Sequence, residues 1–323
     1  MIPKLSIIVP CFNCESTLRQ AVDSCFSQGL TEPFEIILVD DMSTDDTKVV
    51  MQNLATIHPE IQLFHHKQNK GGGATRNTAV EKSRGEILFC LDSDDVLPKD
   101  TMSIMLKYIN EKNCDGVSIH RSVKFIGNDI YNINHVDVSP YVDREIPFES
   151  LLSANNGFQP LLVNFMYTKS GYYKAGGYPT SHGYDTQGFA WRFMCAGLSA
   201  YTCPNAEYLH RIKFNKSYFR REYDEGKINY NWRDILLEHY YVFSDEALHL
   251  ICTFDCKDFT RNIMDELAGI TNNLRPDFRD RLGKSHPPIQ IYLPEPAYVR
   301  RNSMLGYYLR IKHRLKKLLN SGS

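Results

Sequence analysis

Asp92, Ser93, Asp94 and Asp95 follow directly on an apolar run, residues 87–91. A short run of Ile, Leu and Phe reads as a buried strand. Asp is a poor strand residue, and an unpaired buried carboxylate is costly. The acids therefore belong just past the strand's end, at a surface or a cleft. Two chemistries suit them there. Asp-Ser-Asp-Asp is turn and helix-cap composition, with Pro98 opening the next helix. Two carboxylates one residue apart are also hard oxygen donors for Mg2+ or Mn2+. Further residues with chemical capacity are Phe12 after Pro10, the acids between Asp40 and Asp46, the glycines 71–73 with Arg76, and Asp185.

The pattern around these residues alternates. Residues 5–9, 35–39, 61–65 and 87–91 read as strands. Residues 16–28, about 43–57, the stretch after NKGGGATRN to about 83, and 98–112 carry helical stripes. Ser43 suits the N-cap of the second helix, with Asp46 as its capping-box partner. Strands alternating with helices at this spacing predict βαβ units and a mostly parallel sheet. After residue 116 the order loosens. Residues 116–126 read as a strand, 161–167 as another, 171–177 as a loop and 185–197 as a helix. Beyond about residue 218 the chain is helical in character. Residues 300–317 hold seven Lys or Arg and no acid. That segment reads either as a basic amphipathic helix for an anionic membrane surface or as a helix packed on its own domain.

Ligands of an open parallel sheet bind beyond the carboxyl ends of its strands. Here each strand end is polar: Pro10 to Asn13, the acids from Asp40, the Gly-rich loop with Arg76, and Asp92 to Asp95. An exposed aromatic ring stacks on a base. Glycines before a helix start let a phosphate approach the backbone, and Arg76 offers a planar fork for a diphosphate. An ordinary loop and a surface ion pair are the bland alternatives for those two. For Asp45 and Asp46 the helix-cap reading is preferred.

Bulk properties exclude several classes. A hydrophobic content of 42% and a charged content of 23% are those of an ordinary globular chain. A net charge of −1 gives no global case for nucleic acid, which is not expected as a partner. No apolar stretch approaches a membrane span, and the N-terminal apolar segment is too short for a signal peptide. The nine cysteines are scattered. Cys11 and Cys14 have C-x-x-C spacing and Cys252 and Cys256 lie near one another, but no zinc set is completed. Reduced thiols in a cytoplasmic protein are expected, with the tail available for the inner face of the plasma membrane.

Together, the segments LSIIVPCFN, EIILVDDMSTDDT and NKGGGATRNTAVEKSRGEILFCLDSDD resemble family 2 glycosyltransferases, whose nucleotide-sugar fold is called GT-A. GGYPTSHGYDTQGFAWRFMCAG and YLHRIKFNKS extend the resemblance more weakly, to about residue 217. It implies an α/β, Rossmann-like, mostly parallel twisted sheet flanked by helices. Residues 1–115 would bind the nucleotide sugar and 116–218 the acceptor, with a largely helical extension over 219–323.

The resemblance implies these roles. Pro10 and Phe12 form the base platform, although the family usually has Tyr at Phe12. Asp40 reads the N3–H of uracil, so a UDP-sugar is the expected donor. Gly72 and Arg76 meet the diphosphate. Asp92, Ser93 and Asp94 form the D-x-D signature, with Asp94 on Mn2+ or Mg2+ and Asp92 on ribose or in the metal's shell. Asp95 is a supporting acid or a helix cap. The catalytic base of an inverting transfer falls at Asp185 or Thr186. Asp185 is chosen because Thr is a poor base at neutral pH, and His182 is held in reserve. Trp191 is either acceptor floor or core. Arg211 and Lys213 stand where the family often has Arg-x-His. Lysine pairs with a diphosphate but does not bind a cation, and His210 is a substitute. The expected acceptor is a hydroxyl of a glycan or lipid-linked glycan in bacterial surface polysaccharide synthesis. Two alternatives stand beside this reading: a non-catalytic nucleotide-binding scaffold in a membrane complex and, more weakly, a nucleotidyltransferase. A homodimer through the helical region is open.

Overall fold

The computed structural model describes residues 2–127, 129–156, 161, 164–181, 183–212, 225–258 and 260–286. Lys213, His182 and the basic segment 300–317 lie outside the described residues.

The first half alternates as the sequence predicts. Strands β1 (Leu5–Cys11), β2 (Phe34–Asp40), β3 (Ile61–His65) and β4 (Ile87–Cys90) alternate with helices α1 (Leu18–Cys25), α2 (Thr47–Ile57), α3 (Gly72–Lys82) and α4 (Thr101–Lys112). Next come β5 (Gly116–Ser118), β6 (Arg121–Ile126), β7 (Asp129–Asp137) and a 3-10 segment, Phe148–Asn156. The following elements are β8 (Met166–Thr168), α5 (Lys169–Ala175), α6 (Asp185–Cys195), β9 (Ala200–Thr202) and β10 (Glu207–Ile212). Among the described residues, helices α7 (Ile228–Glu238), α8 (Asp245–Thr253), α9 (Ile263–Gly269) and α10 (Phe278–Arg281) follow, with a 3-10 turn at Tyr240–Val242.

Seven strands form one sheet in the order β3-β2-β1-β4-β8-β5-β9. β1 pairs in parallel with β2 and with β4, and β2 with β3. β8 is antiparallel to both β4 and β5. The sheet is therefore mixed and mostly parallel. Along β1, Ile7 and Val9 enter one core and Ile8 enters the other, which is the period-two alternation of a strand covered on both faces. Such strands read as unbroken apolar runs, as β1, β2 and β4 do. Because β2 and β4 lie on opposite sides of β1, the strand order reverses there, and a crevice opens beyond the carboxyl ends. Three remaining strands form a small sheet, β10-β6-β7.

Local expectations fail in four places. Residues 116–126 are two strands in two sheets, β5 and β6. The strand expected over 161–167 is only β8. Residues 171–177, expected as loop, mostly form α5, whose N-cap Thr168 accepts from the Gly171 N–H at 3.0 Å. Its C-cap is Gly176 at φ 83°. Ser43 does not cap α2, because Asp46 holds that position and the Ser43 hydroxyl accepts from the Asn13 N–H at 3.0 Å. Asp45 does the capping work, accepting from the Thr47 N–H at 3.1 Å.

Helices α7 to α10 pack on one face of the sheet. The core there runs continuously from Ile8 through Phe189, Trp191 and Phe193 to Ile235, Val242 and Phe278. Trp191 is fully buried, edge-on to Phe148 at 5.8 Å and stacked on His239 at 6.0 Å. It is a core residue and forms no acceptor floor. None of the described helices is long and apolar enough to cross a membrane.

Candidate active site

Parallel pairing brings the ends of β1 and β2 level, with Cys11 opposite Asp40. Phe12, one residue on, is 49% exposed. Asp40 is fully buried, and its two oxygens differ. Oδ1 accepts from the Ser43 N–H at 3.1 Å and closes a turn. Oδ2 has no hydrogen-bond partner, with Lys48 Nζ and His65 Nδ1 each 3.6 Å away. A buried acceptor left this way is costly unless a ligand donor meets it. Pro10 stands half-buried in the β1 end beside them.

Asp41 ties the neighbouring loop. Its carboxylate accepts from the backbone N–H groups of Lys70 and Gly71, both at 2.8 Å, and lies 2.7 Å from His66 Nδ1. His66 in turn meets the Thr78 hydroxyl at 2.9 Å, so the start of α3 is held on both sides.

The glycines at that start serve close packing. A Cβ on Gly72 would come 2.8 Å from Arg76 Nη1 and 2.9 Å from Asp185 Oδ2. One on Gly73 would meet the Pro179 carbonyl oxygen at 1.9 Å. Without side chains there, the first turn of α6 comes up against α3. Arg76, on α3, lies between two acids. Its Nη1 donates to Asp185 Oδ2 at 2.5 Å, its Nη2 to Asp92 Oδ1 at 2.6 Å, and its Nε to Cys90 Sγ at 3.3 Å. The fork expected for a diphosphate is closed on two carboxylates. Burial works against the guanidinium's charge, but Asp185, Cys90 and Asp92 outweigh it and hold its pKa well above the usual arginine value. Burial raises the pKa of Asp185, and Arg76 offsets part of that rise. Thr186 turns its hydroxyl to the Gln187 side chain at 2.9 Å.

The acidic loop after β4 is braced by β10. Asp92 Oδ2 accepts from Asn164 Nδ2 at 3.2 Å, and the Asp92 N–H donates to the Tyr208 hydroxyl at 3.2 Å. Asn164 also reaches that hydroxyl, at 2.9 Å. The Ser93 carbonyl accepts from Thr17 at 3.0 Å. The Asp94 carbonyl accepts from Arg211 Nε at 2.6 Å. Val96 bridges to Leu209. Asp95, almost wholly buried, accepts from the Arg211 N–H at 2.8 Å and faces His210 Nδ1 at 3.1 Å. It is a brace, since α4 takes Asp100 as its N-cap. Burial pushes the Asp95 carboxyl up to about 6, against the pull of His210. Arg211 is engaged by Asp94, the Gly127 carbonyl and Gln20, and it stacks over Phe125 at 4.5 Å. It straps the acidic loop to the small sheet.

Among the described residues no three His, Cys, Asp or Glu side chains cluster as a metal cage. Asp92 and Asp94 are both half-buried just past β4 and carry hard carboxylate oxygens of the kind Mg2+ and Mn2+ take, commonly one or two with the rest from phosphate and water. Both Asp92 oxygens are engaged, by Arg76 and by Asn164, so Asp92 would have to give up one of these partners to meet a cation directly.

Comparisons with known proteins bear on the family and the fold. The model of the family described as Glycosyl transferase family 2 matches residues 6–173, just over half of the chain. An uncharacterized glycosyltransferase of Haemophilus influenzae is 32% identical over 141 residues, covering 44% of this chain and 55% of the relative. A GalNAc(5)-diNAcBac-PP-undecaprenol beta-1,3-glucosyltransferase of Campylobacter jejuni is 38% identical over 110 residues, 34% of this chain and 35% of the relative. The chain thus spans about half or less of the relatives it matches. Among solved structures, S. aureus TarS 1-349 in complex with UDP-GlcNAc aligns with TM-score 0.58 and 19% identity, over 82% of this chain and 75% of that one. The mannosyltransferase PcManGT of Pyrobaculum calidifontis, in complex with GDP-Man and Mn2+, aligns with TM-score 0.56 and 19% identity, over 84% and 76%. At that identity the likeness is one of fold.

Proposed function

Because the chain belongs to glycosyl transferase family 2, we propose that it moves a sugar, with inversion, from a UDP-sugar to a hydroxyl of a glycan or lipid-linked glycan in bacterial surface polysaccharide synthesis. The observation that carries this reading is the bridge Asp92–Arg76–Asp185. One guanidinium draws an acid of the D-x-D segment and the candidate base to one point, although they come from distant parts of the chain.

In this reading Phe12 stacks on the base and Asp40 Oδ2 accepts the N3–H of uracil. The N-terminus of α3 faces the diphosphate with its backbone N–H groups. Asp185 takes the proton of the acceptor hydroxyl. The acceptor oxygen attacks the anomeric carbon as the bond from that carbon to the diphosphate breaks, and UDP leaves with the electron pair. Arg76 keeps the two acids apart and compensated in a crevice where unpaired charge would be costly. Asp92 and Asp94 would hold Mn2+ or Mg2+, which as a Lewis acid offsets the charge gathering on the leaving diphosphate. The division at residue 218 and membrane contact through 300–317 belong to the same proposal.

Donor identity is tested by thermal stabilisation with UDP, GDP, CDP and ADP, each with Mn2+ and with chelator. A ligand at a hundredfold over its Kd adds about 2.7 kcal/mol. The expected result is a metal-dependent shift with UDP. A shift with another nucleotide overturns the uracil reading of Asp40. No shift with any of the four overturns the donor reading.

A further inference from the structure

Met42 sits in a conformation that its side chain does not favour. Its φ is +65°, the left-handed region that non-glycine residues rarely adopt. The residues on either side, Asp41 and Ser43, are buried, whereas Met42 is 42% exposed. The turn that imposes this is fixed from several directions. Asp40 Oδ1 accepts from the Ser43 N–H, and the Asp41 N–H donates to the Cys11 carbonyl at 2.8 Å. The Asn13 N–H donates to the Ser43 hydroxyl, and the Thr44 N–H donates to the Asn13 side chain at 2.9 Å. These bonds lace 11–13 to 41–44. Phe12 and Met42 are the two large apolar residues left exposed on that laced pair, next in the chain to Cys11 and Asp41 and close to Asp40, whose Oδ2 has no hydrogen-bond partner.

A strained backbone carrying an exposed apolar side chain has no account in packing, because glycine would relieve the one and remove the other. Such positions cluster at ligand clamps. We propose that Met42 is a binding residue for the donor, its thioether lying on the nucleobase beside the Phe12 ring while Asp40 reads the base edge. An unbranched, polarisable side chain suits contact with an aromatic face. The inference rests on the donor reading above, in which this corner receives the base.

The test compares the wild-type protein with Met42→Gly and Met42→Leu, using UDP–Mn2+ and, as a probe without a base, pyrophosphate–Mn2+. Glycine accepts φ +65° without strain, so Met42→Gly keeps the turn. The expected result is UDP binding weakened about three- to tenfold in Met42→Gly, unchanged pyrophosphate binding, and UDP binding close to wild type in Met42→Leu. Equal UDP affinity in wild type and Met42→Gly overturns the inference and leaves the donor reading standing. Equal weakening for both ligands also overturns it, because Met42 would then act through the loop. Failure of the wild-type protein to bind UDP removes the donor reading and the inference together.

Discussion

Asp185 lies where burial and a neighbouring cation oppose one another, and the outcome sets its usefulness. Burial pushes its pKa above the ordinary carboxylate value and Arg76 pulls it back. A carboxylate raised in this way is a better proton acceptor near neutrality. The activity of the free enzyme, read as kcat/KM, should fall as pH drops through that raised value, because only the ionised form accepts the proton. Stability runs the other way. The folded state holds this proton more tightly than the unfolded chain, so the group favours folding most below its unfolded pKa. That benefit is lost as pH rises from there to the folded pKa. Arg76→Met removes the compensating cation, and the acid limb of the pH profile should move up. An unmoved limb would show that Asp185 is not the group titrating. Asp185→Asn should lower kcat by about 10²- to 10⁴-fold while UDP still binds. Retained turnover would reject the base assignment and favour a base elsewhere in the chain.

Among elements, β10 does the work that the sequence hid most completely. Tyr208, on β10, takes the Asp92 N–H and is met by Asn164, while Arg211 and His210 hold Asp94 and Asp95. No local pattern announces contacts across this much chain. The β1, β2 and β4 strands were legible because their apolar runs meet a periodicity rule. Asp40 and Asp92 were legible as polar strand ends, and Gly72 and Arg76 as a Gly-rich run at a helix start. The pairing of Arg76 with Asp185 was not, since it depends on how α6 docks against Gly72 and Gly73. Helix α5 was missed although its signals are present, Thr168 at the N-cap and Gly176 beyond the last turn, because its three glycines together read as loop. Tyr208→Phe tests the brace. It leaves the half-buried Asp92 N–H without its acceptor, which should cost about 0.5–1.5 kcal/mol of stability by urea unfolding. It should also reduce the Mn2+-dependent part of UDP binding. If neither changes, β10 does not position the acidic loop.

Across the whole molecule, helices α7 to α10 and the later half of the sheet domain share apolar surface. Trp191 packs against Phe148, His239 and Phe243, and Phe148 packs on Phe278. These contacts join α6, whose first residue is Asp185, to α7 and α10. Arg192, on the same helix, adds a polar tie. Its guanidinium donates to the Gly177 carbonyl at 3.0 Å and pairs with Glu238 of α7 at 2.6 Å. An exposed pair of that kind contributes little by itself, so the apolar surface must carry the attachment. A chain ending at residue 218 would expose the Trp191 face and leave α6 supported on one side only. Large exposed apolar patches of that sort drive association. The shortened chain should therefore lose its cooperative melting transition and aggregate, and Trp191→Ala in the full chain should lose about 3–5 kcal/mol. A shortened chain that melts cooperatively and binds UDP as the full chain does would separate the two parts. It would mean that the extension does not hold Asp185 in place.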